Sequence, residues 1–184
     1  MIYSFLQNGD SAVTVQFQNE ISKEVNSQVT ALCDRLEAKH IDGVIELVPT
    51  FASLTVFYDC SVISSKKLKK KIEALIRDGE SHVKGTARVW NIPVCYDDEF
   101  ALDMETVCSH TKLTREEVIA LHTSKPYLIY MLGFLPGFAY LGGMDERLFT
   151  PRLKTPRLEI FEGAVGIGGE QTGIYPIASP GGWQ

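Results

Sequence analysis

Between Ala12 and Phe17 the apolar side chains Val13, Val15 and Phe17 alternate with Thr14 and Gln16. A period of two predicts a strand with one buried face, entered from the Gly9-Asp10 turn. The period then lengthens: Ile21, Val25, Val29, Leu32 and Leu36 recur at spacings of three and four, which predicts a helix with Asn19 or Ser22 as its amino-terminal cap. Gly43 separates this helix from two further strands, 44–48 and 53–58, broken by Pro49, which has no N–H to give to a ladder. Ser64 or Ser65 caps a second helix that runs towards Gly79, with Leu68, Ile72, Leu75 and Ile76 on its apolar face.

Residues 88–95 read as another strand, so the first part of the chain follows the order β-α-β-β-α-β expected of a ferredoxin-like sandwich. That strand either closes the first sheet or opens a second domain. Segment 80–86 is polar, holds Gly85 and has no periodicity, and the boundary between a domain 1–85 and a domain 86–184 is placed there. Two short helices follow, the first near Asp103 and the second at Thr114, where Thr114 and Glu117 fit a capping box. The pair carries Glu105, Glu116 and Glu117 and no clustered arginines, which argues against DNA recognition. An apolar strand, 127–132, leads into the last third of the chain.

Composition changes this picture little. A 45% hydrophobic content is ordinary for a chain that buries a core, and a net charge of −5 disfavours a protein built to neutralise phosphates. The lysines at 66, 67, 69, 70 and 71 form the solvated face of the second helix rather than a functional patch. Cys33, Cys60, Cys95 and Cys108 show no CxxC or Cys/His spacing, so buried reduced thiols are expected rather than a zinc or redox site. His40, His82 and His110 lack partners at ligand spacing, and no metal site is expected. No charged leader with an apolar core opens the sequence, and no apolar run approaches the roughly 20 residues that cross a bilayer. A cytoplasmic protein is the expectation.

Candidate chemistry concentrates in 131–184, where glycines and prolines are interleaved with aromatics and arginines. Arg152 and Arg157 each follow a proline, which fixes the backbone immediately before a planar cation able to bind a carboxylate or phosphate in bidentate fashion. Their plain alternative is an ion pair with Glu159, Glu162 or Asp145. Gln171 and Thr172 sit in GGEQTG between two expected strands, where glycines allow backbone amides close to a ligand. This is no nucleotide phosphate loop, because the lysine such a loop needs after its last glycine is missing. Phe134, Pro136, Phe138 and Tyr140 form an apolar wall with one polar tip, suited to a small ring or amide, or else simply pack a loop. His122 ends the second short helix, where the dipole favours its charged form, and it reads more readily as a cap than as a base. No GxSxG elbow, HExxH helix or close carboxylate pair occurs, so catalytic residues stay unassigned.

The strings GFLPGFAYLGG, TPRLKTPR, VGIGGEQTGIYP and SPGGW, in this order and spacing, resemble the signature of the allophanate hydrolase subunit 1 family, which includes the B-type subunit of 5-oxoprolinase, a sporulation histidine-kinase inhibitor and part of urea carboxylase. GDSAVTVQF and VPTFASLTVFYD resemble its amino-terminal domain more loosely. The resemblance implies an α+β chain: a ferredoxin-like α/β sandwich, then a cyclophilin-like β-barrel. It implies one member of an ATP-dependent complex that hydrolyses 5-oxoproline to glutamate. The implied partners are a homologous second subunit, of the allophanate hydrolase subunit 2 type or the C-type of 5-oxoprolinase, and a third of the 5-oxoprolinase A-type. The arginines would stabilise charge developing at the lactam oxygen and at the substrate carboxylate. Two other functions are compatible: docking onto a histidine kinase through GFLPGFAY, and allophanate or urea chemistry. Relatives continue beyond SPGGW, so the barrel is expected to be incomplete in this chain.

Overall fold

The computed structural model describes residues 2–79 and 88–184, and the chain divides into two units, Met1–Thr86 and Ala87–Gln184. In the first, strands β1 (Tyr3–Asn8), β2 (Ala12–Phe17), β3 (Val44–Pro49) and β4 (Ser53–Tyr58) form an antiparallel sheet in the order β1-β2-β4-β3. The alternation read from the sequence decides its faces. Val13, Val15, Leu54 and Val56 are fully buried and meet Val29 and Leu32 of helix α1 (Lys23–Lys39) and Leu68 and Ile72 of helix α2 (Ser65–Arg77). On the other face, Thr14 and Thr55 stand opposite each other with their hydroxyls 2.8 Å apart. Apolar burial on one face therefore yields two layers, helices on a single sheet. Ser22 caps α1 by accepting from the Val25 N–H at 3.2 Å, and Ser64 caps α2.

The expected order β-α-β-β-α-β is corrected to β-β-α-β-β-α. Strand β1 is an edge strand whose alternation is interrupted by the exposed Leu6, which hid it. Residues 88–95 are not a strand: Pro93 cannot donate, and β propensity alone does not make a strand where no ladder partner is present among the described residues. The polar stretch 80–86, expected to mark the boundary, lies outside the described residues, as does His82.

The second unit begins with two short helices, α3 (Met104–Thr111) and α4 (Arg115–His122). Thr114 and Glu117 form the capping box at the start of α4, each side chain bonding the other's backbone N–H. Strands β5 (Leu128–Leu132), β6 (Ala139–Gly142), β8 (Val165–Gly168) and β9 (Gln171–Ile174) make an antiparallel sheet in the order β5-β6-β9-β8, and β7 (Arg157–Ile160) pairs with β10 (Ser179–Gly181). Gln184 exchanges two backbone hydrogen bonds with Ile167, 2.9 and 2.6 Å, along the outer edge of β8. Two cores result, Val107, Val118, Met144, Leu148 and Ile167 against the helices, and Phe138, Tyr175 and Trp183 among the glycines. The chain is an α+β protein. No helix among the described residues is long and apolar enough to cross a membrane. Of the cysteines only Cys33 is buried, its thiol pushed up to about 11 mainly by burial, whereas Cys60 and Cys95 are exposed. The reading of all four as buried is corrected accordingly.

Candidate functional site

The loop between β5 and β6 is built around an unfavourable backbone. The Leu135 N–H donates to the Gly133 carbonyl at 2.8 Å, two residues back, and Phe134 between them has φ +65°. An i to i+2 hydrogen bond spanning a residue of positive φ is the γ-turn that proteins seldom use, and a bulky side chain there is strained by about 1–3 kcal/mol. Gly133 N–H to Phe138 carbonyl and Phe138 N–H to Leu135 carbonyl close the loop. Its effect is to hold Phe134 61% exposed, edge-on to Phe138 (5.7 Å between ring centroids) and Tyr175 (6.5 Å). Because glycine tolerates this backbone and alanine does not, Phe134→Gly is expected to be more stable than Phe134→Ala by about 1 kcal/mol. That reverses the usual order of the two residues. Denaturant melts of the two variants decide it, and the usual order would mean that the turn carries no strain.

Behind Phe134 lies a cleft of about 330 Å³, the size of a small-ligand site. Phe138, 1% exposed, is its floor, with ring centroids at 4.9 Å from Tyr140, 5.0 Å from Tyr175 and 5.5 Å from Trp183, all in edge-to-face geometry. Arg152 contributes the cation. Its guanidinium stands 5.5 Å from the Trp183 ring centroid, and no carboxylate pairs with it among the described residues. An exposed arginine held on an aromatic face, with its fork of donors uncommitted, is prepared for an anion.

Of the residues singled out in the sequence, Phe134, Phe138, Tyr140 and Arg152 therefore meet in one cleft. Pro136 lies exposed at the tip of the loop and does not line it. Arg157 is committed elsewhere: its two terminal nitrogens donate to both Asp103 oxygens at 2.8 and 2.6 Å, a partner 54 residues away that local spacing did not reveal. The GGEQTG string is a β-hairpin. Gly168 pairs with Gln171 across a two-residue turn with Gly169 at φ +66°, and Gln171 and Thr172 are buried. Thr172 instead joins a hydrogen-bond chain around His122. Its hydroxyl donates to the Gly166 carbonyl at 2.9 Å and so accepts from His122 Nε2–H at 3.0 Å, which leaves Nδ1 bare to accept the Tyr96 hydroxyl at 2.6 Å. Burial lowers the His122 pKa, so the ring is neutral, not the charged helix-end residue expected from the dipole. Tyr96, and Asp103 as the partner of Arg157, were missed because they lie outside the periodic segments, where no period marks a side chain's direction.

The fold and site together define an α+β chain whose second unit holds an arginine, without a carboxylate partner among the described residues, beside an aromatic cleft. Residues 3–184 match the model of the carboxyltransferase domain, subdomain C and D, and the chain belongs to that family. It is 44% identical over 192 residues to the Bacillus subtilis protein named as the B subunit of 5-oxoprolinase, covering 99% of this chain and 80% of that one. Among solved structures it is similar to TTHA0988 (35% identity, TM-score 0.80, 94% of this chain) and to the urea carboxylase of Kluyveromyces lactis (21% identity, TM-score 0.81, 99% of this chain). The chain spans 34% of the former and 18% of the latter.

Proposed function

We propose that this chain acts as the B-type subunit of a 5-oxoprolinase, and that the cleft between Phe134 and Trp183 receives 5-oxoproline, with Arg152 on its carboxylate. The observation that carries the reading is Arg152 itself, a cation with no carboxylate partner among the described residues, poised over Trp183 beside an apolar wall. A small lactam with one carboxylate needs both. Phe134, Phe138 and Tyr140 bound its ring, and Pro136 stiffens the loop that carries them. Arg157 and Thr172 serve one step behind, fixing β7 against Asp103 and β9 against His122, with Gln171 buried beside Thr172 on β9. The likeness to urea carboxylase, at 21% identity, bears on fold alone.

The same reading makes the chain a cytoplasmic member of a hetero-oligomer that consumes ATP, with partners of the 5-oxoprolinase C and A types. A Walker-type phosphate loop does not fit the residues at hand. The glycine-rich string that approaches such a loop is a closed hairpin with no lysine, so a nucleotide site is of another kind or lies on a partner. The finer fold description is a cyclophilin-like barrel for the second unit, supported by its antiparallel sheet. For the first unit the likeness to a ferredoxin-like sandwich rests on its two layers, not on its chain order. Mixing the chain with its two partners is expected to release glutamate and ADP from 5-oxoproline and ATP, with each component alone inactive. Equal turnover by the isolated chain would overturn the assignment to a multi-component enzyme.

A further inference from the structure

A second cleft, of about 410 Å³, opens in the same unit on the other side of Tyr175 and Trp183. Ile92, Val94, Leu102, Val107, Val118 and Ile167 give it an apolar lining. The chemistry of a ligand for it follows from its polar groups, taken one at a time.

Tyr96 lines the cleft with its hydroxyl proton already spent on His122 Nδ1, so the phenol oxygen presents only lone pairs. His122 has no proton to offer, because Nε2–H is committed to Thr172. The terminal nitrogens of Arg157 are taken by Asp103, which also cancels the arginine's charge locally. Glu159 and Glu162 add two carboxylates with no ion-pair partner among the described residues. Phe100 and Phe161 meet at the wall, ring centroids 6.3 Å apart, and offer electron-rich faces. One arginine thus stands against three carboxylates, and the charged groups left uncommitted, Glu159 and Glu162, are acceptors. Such a lining repels the anion that the first cleft is built to hold.

We propose that this second cleft binds a small organic cation, an amidinium or primary ammonium carried on an apolar body, with Tyr96 Oη as the inner acceptor, Glu159 and Glu162 at the rim, and the Phe100–Phe161 pair against the cation. This site is independent of the 5-oxoproline reading, and its test uses binding by the 184-residue chain rather than activity.

The probes are benzamidine, benzamide and benzoate, which share a shape and differ in charge. Titrated into the isotopically labelled protein, benzamidine is expected to shift the signals of Tyr96, Phe100 and Phe161 saturably and to bind at least tenfold more tightly than benzoate, with benzamide between them. Tyr96→Phe keeps the ring and removes the acceptor, which is expected to weaken benzamidine roughly tenfold. Glu159→Gln, at an exposed position that leaves the fold intact, is expected to weaken it about threefold. Benzoate binding as tightly as benzamidine, wild-type affinity in both variants, shifts centred on Phe134 instead, or no saturation by about 10 mM probe would each overturn the proposal.

Discussion

Arg152→Lys is expected to lower kcat/KM for 5-oxoproline in the assembled complex about tenfold, and Arg152→Ala about a hundredfold, with the melting temperature of either variant within a few degrees of the parent. A charge-assisted hydrogen bond contributes about 1.5–3 kcal/mol, and the planar fork makes two such bonds to a carboxylate where lysine makes one. Stability should be spared because the side chain is exposed and its stabilising contact is the face of Trp183, worth about 0.5–1 kcal/mol at an exposed site. Arg157→Lys behaves differently. It breaks a bidentate pair with Asp103 that joins β7 to the start of α3, so it should lower stability, with any loss of activity following from that. Steady-state kinetics and thermal melts on the same preparations separate the two roles. Parental kinetics in both Arg152 variants would remove that residue from the site.

Trp183→Ala is expected to destabilise the second unit by about 3–5 kcal/mol, the range for truncating a buried large aromatic. Its core among the glycines is built on Phe138, Tyr175 and Trp183 as buried hydrophobics. The indole sits on Gly168 and Gly173, which have no side chains, and meets Phe138 and Tyr140 edge to face. A Cβ on Gly168 would lie 2.5 Å from the indole, and one on Gly173 would lie 2.8 Å from Phe138 and 3.0 Å from the indole. Neither glycine has positive φ, so each is there for space rather than for backbone freedom. With the indole gone the glycines beneath it have no side chains to relax into the space, so part of the cavity stays open. The expected readout is an unfolding transition of the second unit, followed through its ring signals, lowered by more than about 10 °C. A shift of only a few degrees would show that the ring is replaceable.

The first unit was largely legible because its periods are clean. Val13, Val15 and Phe17, and then Val25, Val29, Leu32 and Leu36, face one core, and the sequence carries that information locally. What failed there failed for a physical reason: Tyr3–Asn8 is an edge strand with Leu6 exposed, and 88–95 has strand propensity without a ladder. The candidate site was legible as a set of residues rather than as an arrangement. Phe134, Phe138, Tyr140 and Arg152 lie close enough in sequence for a Gly/Pro-rich stretch to flag them together. Whether an arginine is free or paired, however, depends on partners such as Asp103, which only the folded chain brings near. The GGEQTG glycines were read as giving access to a ligand, whereas Gly168 and Gly173 make room for aromatic rings and Gly169 makes a hairpin turn.

Strand β9 carries a contact towards each cavity. At Thr172 its side chain reaches His122, and through it Tyr96 in the second cleft, while one residue on, Gly173 opens onto Phe138 and Trp183 in the first. Tyr175 and Trp183 line both cavities. Rings shared in this way have no independent faces, so a ligand that shifted the indole on one side would redraw the room on the other. Reciprocity would then oblige a second ligand to alter the first one's affinity by the same factor.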